Sequence, residues 1–151
     1  MAKFGSDSKF GTGKDANDGV SKKVSEFLNQ YDVIIVEGDL EEASFRRGLG
    51  YRKTIINAEG RGNVFNELRR LYKSKSKNRV LAVTDGEQEG IEGIVNTLQN
   101  EKGIPVKSIN PPLIHVNDYI DILVMGLPEK GYKGCTDSVI GQGLLNKAIE
   151  D

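Results

Sequence analysis

An α/β fold with a mostly parallel central sheet flanked by helices is what this sequence predicts, and three observations predict it. The runs Val33-Ile34-Ile35-Val36 and Val80-Leu81-Ala82-Val83 are apolar without alternation, as in strands buried on both faces. Each is followed by a stretch whose apolar residues recur at helical spacing. Glycine-containing turns separate these segments, so strands and helices alternate along the chain, the pattern of a parallel α/β domain.

Residues 1 to 19 are glycine, serine, aspartate and lysine with two isolated phenylalanines and no period. They read as a disordered tail, which leaves 20 to 151 as a single domain. Val20, Val24, Phe27 and Leu28 share one face of a short helix. Asp32 to Val36 is the first strand. Glu41 to Leu49 reads as a helix with acids in its first turn and Gly48 and Gly50 at its end. Lys53 to Asn57 is the second strand, and Gly60-Arg61-Gly62 turns the chain into a helix from Asn63 to Lys73. Its inward stripe is Val64, Phe65, Leu68, Leu71 and Tyr72. Arg79 to Thr84 is the third strand. The helix after it reaches Asn100 with Ile91, Ile94, Val95 and Leu98 inward. Ile104 to Lys107 reads as a weak strand, Pro111-Pro112 as a break, and Tyr119 to Met125 as a strand. A loop from Gly126 to Gly134 leads to Asp137, an N-cap for a last helix carrying Val139, Ile140, Leu144, Leu145 and Ile149.

Composition narrows the function classes. The 151 residues suffice for one ordinary domain, and 28% of them are charged, as in soluble proteins. No apolar run nears the roughly 20 residues that span a bilayer, and the N-terminus lacks the apolar stretch of a signal peptide. The lone Cys135 forms no internal disulfide, so the cytoplasm is the expected compartment. The lone His115 excludes a histidine-rich zinc site. The net charge of −1 hides an asymmetry: Arg46 to Arg79 holds eleven basic residues and two acids, the remainder ten basic and twenty acidic. A basic segment beside an acidic one suits a polyanion held near a metal.

The acids are placed informatively. Val36-Glu37-Gly38-Asp39-Leu40-Glu41 follows the first strand, and Thr84-Asp85-Gly86-Glu87-Gln88-Glu89-Gly90 follows the third. Ligands of parallel sheets bind outside the carboxyl ends of the strands. Carboxylates converging there repel one another unless a hard divalent cation relieves them. Glu37, Asp85 and Glu87 therefore point to a Mg²⁺ (or Mn²⁺) site and to phosphate chemistry. Glu41, Glu42 and Glu89 also fit the ordinary enrichment of acids in a first helical turn. Gly38 allows close approach of a phosphate. The turn Gly60-Arg61-Gly62 can offer backbone N–H groups and a guanidinium to one, with Arg69 a further phosphate contact.

Together Ile35-Val36-Glu37-Gly38, the turn Asn57 to Asn63, and Asp85-Gly86-Glu87-Gln88-Glu89-Gly90 resemble the Toprim domain of topoisomerases, bacterial primases and OLD-type nucleases. The likeness runs from about Asp32 to Asn100. Ile122 to Pro128, Gly134 and Asp137 extend it, more weakly, toward small stand-alone members related to the OLD type. The resemblance implies a Rossmann-like Toprim fold and Mg²⁺-dependent phosphodiester chemistry on DNA or RNA, as in a nuclease. It makes Glu37 a general acid/base or metal ligand and Asp85 and Glu87 metal ligands, with Glu41 and Asp137 available to a second ion. Glu87 stands where the family usually has aspartate.

Two other readings stay open: a non-catalytic module of this fold that binds nucleic acid or a partner protein, and an unrelated doubly wound phosphate- or nucleotide-binding protein. The sequence leaves open a homodimer. Other signals fall away. Gly11-Thr12-Gly13-Lys14-Asp15 lacks the first glycine and the Ser/Thr of a phosphate loop, and Phe65 stands where a dinucleotide fingerprint after Gly60 needs glycine. No tyrosine is placed as a nucleophile, and Cys135 with His115 reads as a buried thiol rather than a catalytic one.

Overall fold

The computed structural model describes residues 18–134. The apolar runs are strands: β1 (Val33–Val36), β2 (Thr54–Asn57), β3 (Val80–Asp85) and β6 (Ile120–Met125) lie parallel, in the order β2-β1-β3-β6. A hairpin of β4 (Ser108–Asn110) and β5 (Leu113–His115) adds two antiparallel strands beyond β6, for a six-stranded sheet. Among the described residues four helices flank it: α1 (Asp18–Asn29), α2 (Asp39–Ala43), α3 (Arg61–Ser74) and α4 (Gly90–Asn96). Both α2 and α4 run on into a π-helical turn, Ser44–Gly48 and Thr97–Glu101 respectively. The fold is thus α/β with a mostly parallel mixed sheet.

Burial follows the sequence pattern. Every residue of β3 and β6 is buried, as continuous apolar runs covered on both faces require. The expected stripes pack inward: Val24, Phe27 and Leu28 on α1, Val64, Phe65, Leu68 and Leu71 on α3, and Ile91, Ile94 and Leu98 from α4 onward. Tyr72 and Val95 are only partly buried against this core.

The differences have local causes. Asp18 and Gly19, expected in the tail, already belong to α1. Helix α3 starts at Arg61, two residues early, because Gly60, not Gly62, makes the turn, at φ 137°. Ile104 to Lys107 is not a strand: Pro105 cannot donate to a ladder, Ile104 is buried in coil, and pairing starts at Ser108. Pro111-Pro112, joined by a cis peptide, is the turn of the β4–β5 hairpin rather than a break. The expected final helix, with Asp137, and also Cys135, lies outside the described residues.

The topology singles out one place. The chain goes from β1 to β2 on one side, then returns to set β3 on the other side of β1. In open α/β sheets such a reversal leaves a crevice outside the carboxyl ends of the two diverging strands, here β1 and β3.

Candidate metal centre

Strands β1 and β3 pair in parallel with Val33, Ile34 and Ile35 beside Val80, Leu81 and Ala82. Carrying that register forward brings Glu37, the first residue after β1, level with Thr84. The Glu37 carboxylate accepts hydrogen bonds from the Thr84 hydroxyl and, at 3.0 Å, from the backbone N–H of Asp85. Glu37 is thus pinned across the strand gap, and Asp85, only 7% exposed, ends β3 beside it.

Glu87 is brought in by a tight loop. The segment after β6 folds back, and Glu87 and Gly134 exchange backbone hydrogen bonds. Gly86 makes the close approach: a Cβ there would lie 1.6 Å from the Tyr132 carbonyl oxygen, and one on Gly126 would lie 1.8 Å from the same atom. Glu87 adopts φ 51° to follow the bend. One carboxylate oxygen each from Glu37, Asp85 and Glu87 then lies within 4.8 Å of the others.

Burial pushes the Glu37 carboxyl above its ordinary range; the Thr84 and Asp85 hydrogen bonds oppose the shift, and the charges of Asp85 and Glu41 add to it. That is the electrostatic state a divalent cation relieves. Opposite oxygens on Mg²⁺ stand about 4.2 Å apart and on Ca²⁺ about 4.8 Å. At most one pair of the three oxygens can take opposite positions, so they could hold one hard cation only after closing toward it.

The remaining sequence candidates are distributed around this centre. Glu41 shares a small recess with Glu37, Val83, Thr84, Asp85 and Met125. Gly38 is extended, at φ −169°, a conformation open to any residue. The Gly60 N–H donates to the Glu37 carbonyl at 2.8 Å, which ties the start of α3 to the end of β1. Arg61 follows directly: its Nε donates to Thr84 Oγ1 at 3.3 Å, it forms an ion pair with Glu89, and it lies over the Phe65 ring at 5.6 Å. Arg61 is therefore at the site, held by a protein carboxylate. Gly62 is exposed in the first turn of α3. Arg69 is exposed about 12 Å further along the helix, outside the centre.

Sequence reasoning did not assign Thr84 a role, although it links Arg61 to Glu37. Its only signal was its place before Asp85; that it stands level with Glu37 follows from strand register alone. Asn57, which donates to Asp39 at 2.8 Å and Glu42 at 3.1 Å, was likewise unassigned. It accounts for those two acids as the polar lining of the β2 end rather than as ligands of the centre.

Geometry and topology define an α/β protein with an acidic centre at its topological switch point. Comparison of the chain with protein-family models, with curated proteins and with solved structures gave no match.

Proposed function

We propose that this chain is a small Toprim-like protein that binds Mg²⁺ (or Mn²⁺) and performs phosphodiester chemistry on nucleic acid, as a nuclease. The observation that carries the reading is the convergence of Glu37, Asp85 and Glu87 at the β1/β3 switch point. Asp85 and Glu87, with Glu37, would hold the ion. When bound, it would neutralise phosphate charge and stabilise the leaving oxygen. The protein's own contribution is positional. Thr84 and the Asp85 N–H fix Glu37, and Gly86 lets the loop carrying Glu87 close. Arg61 stands beside Thr84 with a guanidinium that an incoming phosphate can win from Glu89.

Nucleic acid is the expected polyanion because Arg47, Arg52, Lys53, Arg69, Arg70, Lys73, Lys75 and Lys77 are all exposed on the segments from the turn after α2 to the loop after α3, several of them toward the amino ends of β2 and β3. A second reading, a binding module without catalysis, is favoured by one feature: Glu87 is exposed, on an arm longer than the usual aspartate, so its hold on an octahedral ion is looser.

The test is cleavage of labelled single- and double-stranded DNA and RNA with Mg²⁺ or Mn²⁺. Wild type should cleave at least one of them, and Asp85→Ala and Glu37→Ala should each lower the rate about a hundredfold or more with an unchanged circular dichroism spectrum. Metal-dependent binding without cleavage selects the module. Neither binding nor metal affinity rejects both.

A further inference from the structure

The other end of the sheet holds a second polar constellation. Asp121, near the start of β6, is 7% exposed. Its Oδ2 accepts from the Tyr31 hydroxyl at 2.7 Å, and its Oδ1 lies 2.7 Å from His115 Nδ1. His115 and Asp121 are cross-strand partners, so their side chains share one face. Arg79, just before β3, lies over the Tyr31 ring at 5.2 Å. Asp121 pairs in register with Leu81 and Met125 with Asp85, which puts this cluster about 13 Å along the strands from the acidic centre.

These groups line an open cavity of about 420 Å³, with Lys107 and Asp118 at its rim, a volume within the range of small-molecule sites. Burial and the Asp121 charge keep the Tyr31 hydroxyl protonated, far above its usual range. Tyr31 is therefore a donor, and Asp121 engages both of its oxygens. His115 turns Nδ1 to Asp121, which leaves Nε2 for a ligand. Arg79 is fixed but underused: Nη2 is 3.8 Å from Asp121, beyond hydrogen-bond range, and Nε is buried with no hydrogen-bond partner among the described residues. The Lys107–Asp118 pair, at 3.1 Å, is exposed on both sides, so it is weak and easily exchanged. A guanidinium held by a ring, with idle donors and a lysine nearby, is a receptor for an anion.

We propose that this cavity is a second ligand site, independent of the acidic centre, which takes a small organic phosphate. The phosphate is received by Arg79 and Lys107, and His115 Nε2 hydrogen-bonds a polar group of the same molecule.

His115 is the one histidine of the chain, so its ring resonances report the site without assignment ambiguity. Full-length protein is titrated with inorganic phosphate, adenosine monophosphate and adenosine at matched pH and ionic strength. Saturable shifts are expected with the two phosphates, with the monophosphate binding about tenfold or more tighter than adenosine. Arg79→Gln should weaken phosphate binding about tenfold and Lys107→Gln severalfold, while Asp85→Asn leaves it unchanged. Linear drift without saturation overturns the proposal, as does wild-type affinity in both cation variants. Loss of binding in Asp85→Asn would move the anion to the acidic centre and overturn it equally. Should Arg79→Gln fail to fold, Lys107→Gln, on an exposed side chain, decides alone.

Discussion

The two ends of the sheet bury an aspartate to the same degree in opposite ways. Asp85 and Asp121 are each 7% exposed. At the amino end, Asp121 has the Tyr31 hydroxyl, the His115 ring and the Arg79 guanidinium around it. At the carboxyl end, Asp85 has Glu37 and Glu87 within a few ångströms. A buried carboxylate is stable when donors or cations surround it, and costly when other carboxylates do. The amino end therefore surrounds its carboxylate with donors. The carboxyl end gathers carboxylates at the topological switch point, the arrangement that the proposed cation would relieve.

The largest expected effect tests what holds the carboxyl end together. Gly86→Ala puts a Cβ onto the Tyr132 carbonyl oxygen, so it should destabilise by about 3 kcal/mol or more in urea denaturation. A loss under about 1 kcal/mol would show that the 127–134 segment is not packed as described. Next, Asp121→Asn should cost about 2–3 kcal/mol, because it weakens the acceptor of the Tyr31 and His115 hydrogen bonds and removes the charge beside Arg79. Asp85→Asn in metal-free buffer should be neutral or stabilising, because it removes a like charge. Equal costs for both would erase the contrast between the ends.

Mg²⁺ at a hundredfold excess over its dissociation constant should stabilise wild type by about 2.7 kcal/mol, read as a rise in melting temperature that Asp85→Asn and Glu37→Gln abolish. A wild-type melting curve indifferent to Mg²⁺ would remove the cation from the account.

The smallest effect is the pH dependence. The Glu37 carboxyl is raised by burial. Its contribution to stability is thus full below the unfolded carboxylate range and is lost as pH rises through the elevated native value. Metal-free wild type should weaken relative to Glu37→Gln as pH climbs toward neutrality, by less than about 1 kcal/mol because the site is partly solvated. Thr84→Val should enlarge that drop by removing a donor to the carboxylate. A drop of equal size in Glu37→Gln would assign it to another group.

Much of this was legible from residues alone, and the reason is local. Unbroken apolar runs become doubly buried strands, and helical stripes become packed faces, because burial acts residue by residue. That Glu37, Asp85 and Glu87 stand at the carboxyl ends of β1 and β3 was legible for the same kind of reason: an acid close after a buried strand must emerge there. The β4–β5 hairpin was not legible, since its short outer strand is exposed throughout and carries no apolar pattern. The Asp121–His115–Tyr31 cluster was not legible either, because Tyr31 lies 90 residues from Asp121 and each member looks ordinary.

By itself, then, the sequence determined the four buried parallel strands and the main packed helix faces, and that acids stand at two strand ends. Only the tertiary structure decided that β1 and β3 are neighbours in a register that sets Glu37 level with Thr84 and Asp85. It alone decided that Arg61 reaches Thr84, and that the strands' other end gathers Tyr31, Arg79, His115 and Asp121. The physical reason is that hydrophobic patterning specifies which face is buried without specifying against what. Strand order and register arise from pairing between distant segments, and a site made by several strands exists only once that pairing is chosen.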